Sequence, residues 1–247
     1  MLDGPLPADH APVLRHHPHR RLVAVAEVLL CSSVPTQTLI GAALQLAGWP
    51  QTDEAGRLSL PFLLTLSLAD TIVLVALMVA LTRAHGESAT ELWLGDRQVR
   101  REAALGVALV PFVFLGVVVL LNGLRLIAPW LRNVPENPLE GLAGTPADAA
   151  MFALVAIFAG GVREELQRAF LLRRFERHLG GAWVGVVVLS AAFGAGHYVQ
   201  GWDAVITTGT LGAFWAIVYL RRRSSVAPIV SHAGFNTMEI VRVVITA

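Results

Sequence analysis

Long apolar blocks separated by short polar connectors set the layout of this chain. Seven blocks read as helices that cross a bilayer: Leu22–Gly48, Leu58–Leu81, Ala103–Leu121, Asp148–His178, Trp183–Tyr198, Ala204–Leu220 and Val226–Thr246. The connectors carry turn formers, namely Gly48-Trp49-Pro50, the stretch from Pro129 to Pro146, Gly180-Gly181 and Gly201. Leu92–Arg101 is shorter and mixed, and reads as an amphipathic piece lying in the membrane interface. No internal repeat or low-complexity tract interrupts the pattern. The predicted fold is therefore all-α: a polytopic membrane helix bundle of about seven transmembrane helices. Residues 1–21 form a polar tail, and residues 22–247 form one membrane-embedded domain.

Composition agrees with the pattern. The chain has 247 residues, 55% hydrophobic and 15% charged, with a mean hydropathy of +0.60, too apolar for an ordinary soluble domain. The expected location is a plasma membrane, bacterial and multi-pass, with the lipid bilayer as the first partner. A net charge of +1 supplies no bulk basic surface for nucleic acid. The single cysteine, Cys31, excludes an intrachain disulfide and any cysteine-based zinc site. The tail, with Arg15-His16-His17-Pro18-His19-Arg20-Arg21, reads as a solvated basic flank. It lacks the apolar region and cleavage site of a signal peptide. Every basic residue is arginine. Flank by flank these number three, one, four, two, five, none, three and one, so that rich and poor flanks alternate. By the positive-inside rule the N-terminus is cytoplasmic, and seven spans put the C-terminus outside.

Three of the blocks carry chemistry. The apolar run Ala149–Val162 has 14 residues, too few to cross a bilayer, which takes about 20. Its helix spans only by continuing through Arg163, Glu164, Glu165 and Arg168. Each such charge costs roughly 2.5–3.5 kcal/mol at mid-bilayer on insertion scales, so the cluster must pair internally. Glu164 and Arg168, four apart, share a face and are the expected pair. The fifth block ends on Phe193-Gly194-Ala195-Gly196-His197, and the seventh holds His232-Ala233-Gly234-Phe235-Asn236; in each, residues four apart project from one face. At helical rise, Glu164 and His197 each lie roughly 24 Å from the Gly180-Gly181 turn. His232 and Asn236 lie roughly 13 and 20 Å beyond Arg223, which brings all the groups to a common depth. Glu27 in the first block lies six residues after Arg21, and pairing or snorkelling near the interface accounts for it.

A glutamate pair followed by arginine and F-L-L, then F-x-x-x-H, then H-x-x-x-N on successive blocks, resembles the CAAX-protease and bacteriocin-processing family. These are intramembrane endopeptidases related to the type 2 CAAX prenyl protease, the Ras-converting enzyme. The resemblance covers about 148–242. It departs from the family at one place: the family reads E-E-x-x-x-R, whereas Glu164-Glu165-Leu166-Gln167-Arg168 is one residue shorter. Alignment on Arg168–Leu172 puts Arg163 at the first family glutamate and Glu164 at the second. Alignment on the glutamates keeps both and displaces the arginine.

The resemblance implies peptide-bond hydrolysis by a water that Glu164 and His197 hold and deprotonate, with Arg168 keeping the carboxylates ionised. It implies an oxyanion hole from His232 and Asn236. A carboxylate in a dry site is a stronger base than in water, which suits the role. Glu164 is the preferred base because Arg168 is expected to orient it, and Glu165 stays as the alternative. Glu164, His197 and His232 also make a zinc set with an open position, although no H-E-x-x-H is present. The implied substrate is a prenylated protein or a peptide precursor. Two readings compete: a non-catalytic scaffold or immunity protein of the same fold, favoured by the altered glutamate motif, and a coupled carrier, which would need two related halves that the sequence lacks. On the topology, reporters fused after Arg101 and within Arg221–Arg223 should be cytoplasmic and one within Pro135–Pro146 external; a cytoplasmic signal from Pro135–Pro146 would overturn the orientation and the seven-span count.

Overall fold

The computed structural model of the protein describes residues 18–54, 56–135 and 137–246. Most of the expected tail, including Arg15, His16 and His17, lies outside the described residues. Among the described residues there is no strand, only an isolated bridge between Thr52 and Leu58. The helices are α1 (Pro18–Leu30), α2 (Val34–Leu46), α3 (Leu60–Ala84), α4 (Ala89–Trp93), α5 (Val99–Ile127), α6 (Pro146–Val155), α7 (Glu164–His178), α8 (Ala182–Ala195), α9 (Trp202–Arg222) and α10 (Val226–Thr246). A π-helical segment, Ala156–Arg163, joins α6 to α7.

Helix occupies all seven predicted blocks. By length and composition four stretches suffice to cross a membrane: His19–Leu46, Leu60–Ala84, Val99–Ile127 and Trp202–Arg222. The protein is thus an integral membrane helix bundle. The remaining blocks are the three that bear the chemical motifs. The first of these carries charges, α8 has only 14 residues, and α10 carries His232, Asn236, Glu239 and Arg242.

Two boundaries differ from the reading of the sequence, each for a local reason. The first block is two helices because Pro35 has no N–H, and its ring excludes the usual helical bond to the carbonyl four residues back, that of Cys31. The chain turns at Ser33, which adopts φ +70°. The Cys31 carbonyl then accepts from Gln167 Nε2 at 2.6 Å. The interfacial piece is shorter than expected: α4 ends at Trp93, and Val99–Arg101 already belong to α5.

α7 is the hub. Four consecutive residues, Ala169–Leu172, are buried, so this helix has apolar neighbours on every side. It touches α1, α3, α4, α8 and α9, while the π segment touches α3, α6 and α10. The main core joins Leu74 and Met78 of α3, Leu92 and Trp93 of α4, Phe170 and Leu172 of α7, Val186 of α8 and Tyr219 of α9. At the far end of α7, Glu27 pairs with Arg174 at 2.6 Å and with His85, not with the neighbouring Arg21. Arg174 also reaches Glu87 at 2.9 Å and lies over the Phe170 ring.

The small helix α4 sets the height of α10. The backbone N–H of Ser225, just ahead of α10, donates to the Trp93 carbonyl at 2.7 Å. The Trp93 indole donates to the Leu166 carbonyl of α7 at 3.0 Å. Tyr219 of α9 donates to the Leu92 carbonyl at 3.0 Å. The chain passes closely here: Gly95, at φ +60°, faces the Arg223 carbonyl where a Cβ would collide. Trp93→Phe keeps the ring and removes the donated bond, so the solubilised protein should lose about 1 kcal/mol of stability; thermal unfolding followed by tryptophan-independent circular dichroism checks this, and an unchanged melting temperature would refute the tie.

Candidate active site

The π segment and α10 are pressed together, and this builds the site. A π turn is wider than an α turn and leaves carbonyls without their usual partners. Gly160 and Gly161 sit in its middle. A Cβ on Gly161 would come within 2.6 Å of the Ala233 Cβ, and one on Gly160 within 2.6 Å of Asn236 Nδ2. Only glycine at these positions lets α10 approach so closely. Asn236 donates through Nδ2 to the Ala156 carbonyl at 3.3 Å, one turn earlier in the segment.

Beyond the π segment, two neighbouring glutamates diverge. Glu165 is buried, and both its oxygens are engaged. Oε2 accepts from Arg168 Nε at 3.1 Å, and Oε1 accepts from Arg168 Nη2 at 3.2 Å and from the His232 Nδ1–H at 2.9 Å. Glu164 keeps a fifth of its side chain exposed. Its Oε1 accepts from Arg163 Nη2 at 3.1 Å, and its Oε2 lies 4.0 Å from His232 Nε2. The pair expected from spacing, Glu164 with Arg168, is therefore replaced by Glu165 with Arg168. Spacings of three and four are both reachable on a helix. The neighbours decide: Arg163 is turned toward α2 and α3 and takes Glu164, while Arg168 is turned toward α8 and α9. There its guanidinium lies 4.8 Å from the Phe193 ring centre and close against Gly212.

His232 is fixed on all sides. Its ring stacks on Trp215 at 3.8 Å between centroids and 16° between planes, and meets the Phe193 ring edge-on at 6.1 Å. Trp215 in turn donates to the Ser231 hydroxyl at 3.3 Å. The carboxylate of Glu165 can only accept, so Nδ1 carries a proton and, in the neutral ring, Nε2 faces Glu164 as an acceptor.

His197 stands apart from this cluster. It lies at the end of α8, packs edge-on against Phe193 at 4.9 Å, and directs Nδ1 at the Phe193 carbonyl at 2.8 Å. A carbonyl only accepts, so Nδ1 donates there and Nε2 is left as the acceptor in the neutral ring. Among the described residues His197 makes no hydrogen bond to either glutamate; the Phe193 ring lies between it and His232. For the same reason Glu164, His197 and His232 do not assemble as a zinc set, and among the described residues no three His, Cys, Asp or Glu side chains are placed to hold a metal ion.

The structure thus groups Glu164, Glu165, Arg168 and His232, places Asn236 one turn along α10, and sets His197 behind Phe193. Sequence reasoning passed over three contributors: Trp215, Arg163 as the partner of Glu164, and Asp70, which pairs with Arg163. Asp70 had a signal, a carboxylate inside an otherwise apolar span.

Comparison with known proteins gives one match. The family model described as Type II CAAX prenyl endopeptidase Rce1-like matches residues 146–238, which hold every residue of the site but Asp70 and the residues bonded to it from α2. No curated protein and no solved structure matches the chain. Arg168→Ala would leave Glu165 buried without its counter-charge and should cost about 3–5 kcal/mol of stability. Arg168→Lys should recover only part of it, since an ammonium lacks the two-pronged geometry. Thermal unfolding of the three proteins in one detergent measures both effects, and equal melting of Arg168→Ala and wild type would refute the pairing.

Proposed function

We propose that the chain works as the Rce1-like family of type II CAAX prenyl endopeptidases does, whose model matches residues 146–238, and that Glu164 is the general base of an intramembrane peptide hydrolysis. The observation that carries this reading is the division of labour between the two glutamates. Glu165 has both oxygens occupied and is shut away from solvent, so it acts as a structural anchor for Arg168 and His232. Glu164 has one oxygen held by Arg163, the other 4.0 Å from His232 Nε2, and a fifth of its side chain exposed. A base must reach its water, and Glu164 is the glutamate that can. Glu164 is preferred here for its accessibility and its bond to Arg163, not for the expected pairing with Arg168, which Glu165 takes.

In this mechanism Glu164 Oε2 takes a proton from a water, and the water oxygen bonds to the scissile carbonyl carbon. The carbonyl oxygen becomes an oxyanion. Asn236 has a second amide hydrogen beyond the one given to Ala156, and in this reading it and His232 donate to that oxyanion, a role His232 fills only as the imidazolium, with Nε2–H donating. Glu164 then returns the proton to the leaving nitrogen as the carbon–nitrogen bond breaks. In this reading His197, with Nε2 as an acceptor, holds the same water. Prenylated CAAX-type proteins and peptide precursors are the proposed substrates, the first because the family is defined by them.

Turnover by the purified, lipid-reconstituted protein on a prenylated CAAX-type peptide, set beside the unprenylated peptide, tests the reading. Glu164→Gln keeps the size and hydrogen bonding of the side chain but cannot accept the proton, so it should lower kcat by about 10²–10⁴-fold with melting unchanged. Full activity in Glu164→Gln would overturn the assignment of the base. A scaffold of the same fold would show no turnover even in the wild type.

A further inference from the structure

Asp70 lies in the middle of α3, a 25-residue apolar helix, and is fully buried. A lone carboxylate there would be costly. Asp70, the one carboxylate of that helix, is instead fully partnered. It pairs with Arg163 Nη1, accepts at Oδ1 from the Thr36 hydroxyl, and accepts at Oδ2 from Gln37 Nε2 at 3.2 Å. Arg163 spends its other donors locally: Nη1 also on the Ser33 hydroxyl at 3.1 Å, Nε on the Ala159 carbonyl at 3.3 Å, and Nη2 on Glu164 Oε1 at 3.1 Å. One guanidinium thus joins a carboxylate on α3 to the proposed base.

We propose that Asp70 and Arg163 are positioning residues for Glu164, and that Asp70 sets how strongly Arg163 holds it. The inference rests on Glu164 being the base. Alignment on Arg168–Leu172 puts Arg163 where the family carries a glutamate, so this chain has a cation beside its base. An undivided guanidinium at 3.1 Å would hold the Glu164 carboxylate more firmly. Asp70, outside the matched residues 146–238, divides that charge. The fork of Arg163 also fixes Oε1, which leaves Oε2 on the side of His232. Around Glu164 the charged and titratable groups are Arg163, Glu165 and Arg168 from its own helical run, Asp70 from α3 and His232 from α10. The corner between α1 and α2 contributes the uncharged Ser33, Thr36 and Gln37.

The test is the pH dependence of kcat/KM for the reconstituted protein, whose acid limb reports the base in the free enzyme. Arg163→Gln removes the cation, and the acid limb should move to higher pH. Asp70→Asn leaves Arg163 wholly to Glu164, and the limb should move the opposite way, to lower pH, with a lower kcat. A merely structural pair would lower activity in both variants without moving the limb in opposite directions. Arg163→Lys should bring the limb back toward wild type. Where either single variant fails to fold, the double variant Asp70→Asn/Arg163→Gln buries no unpaired charge and decides alone: its limb should lie above wild type. Limbs that stay in place, or that both move one way, overturn the proposal. Wild-type activity in Glu164→Gln would instead overturn the reading of the base beneath it.

Discussion

The fork of Arg168 on Glu165 is the interaction on which the rest of the site depends. A carboxylate inside a helix bundle in a membrane cannot stay ionised without a partner that matches it in charge and in shape. The guanidinium offers two parallel N–H groups, and Glu165 receives both. With that oxygen pair held, the third bond, from His232, has a fixed acceptor. His232 then has its ring plane set by Trp215 and its height set by the hold of α4 on the start of α10. Phe193 covers the outer face of Arg168 and separates the cluster from His197. Removing the anchor would release a chain of four groups, not one.

The use of two adjacent glutamates follows from this. Residues next to each other on a helix point about 100° apart. One can be buried as an anchor while the other reaches the open side. The π segment ahead of them adjusts the direction of both, because its wider turns change the angle at which α7 begins relative to α6. Glycines at 160 and 161 let α10 close on that wider turn, and Asn236 satisfies one of the carbonyls it exposes.

Much of the architecture was legible in the sequence because apolar blocks of membrane length are an unambiguous signal. Leu60–Ala84 and Trp202–Arg222 appear where the blocks put them. The residues of the site were legible too, since charges and histidines inside apolar blocks are rare. Their pairing was not. Spacing allows Glu164 or Glu165 to meet Arg168, and the choice is made by His232, Gly212 and Phe193, far away along the chain. The π turn has no periodic signature of its own, so Asp148–His178 read as one regular helix. The break at Ser33 was written in Pro35, which lies inside the block Leu22–Gly48 read as a single span. Asp70 was overlooked although its position in α3 is as unusual as that of Glu164, because no motif surrounded it.

The pairing of Asp70 with Arg163 spans 93 positions, and the chain is made from its N-terminus. When α3 first enters the bilayer, its cation has not yet been synthesised. Thr36 and Gln37, which precede Asp70, are already present and can hydrogen-bond it in either protonation state. These two residues are thus in the chain to partner the carboxylate before the arginine arrives on the π segment. The order of synthesis makes closure around the base one of the last events in assembly, and a half-built chain has the two glutamates nowhere in its membrane part.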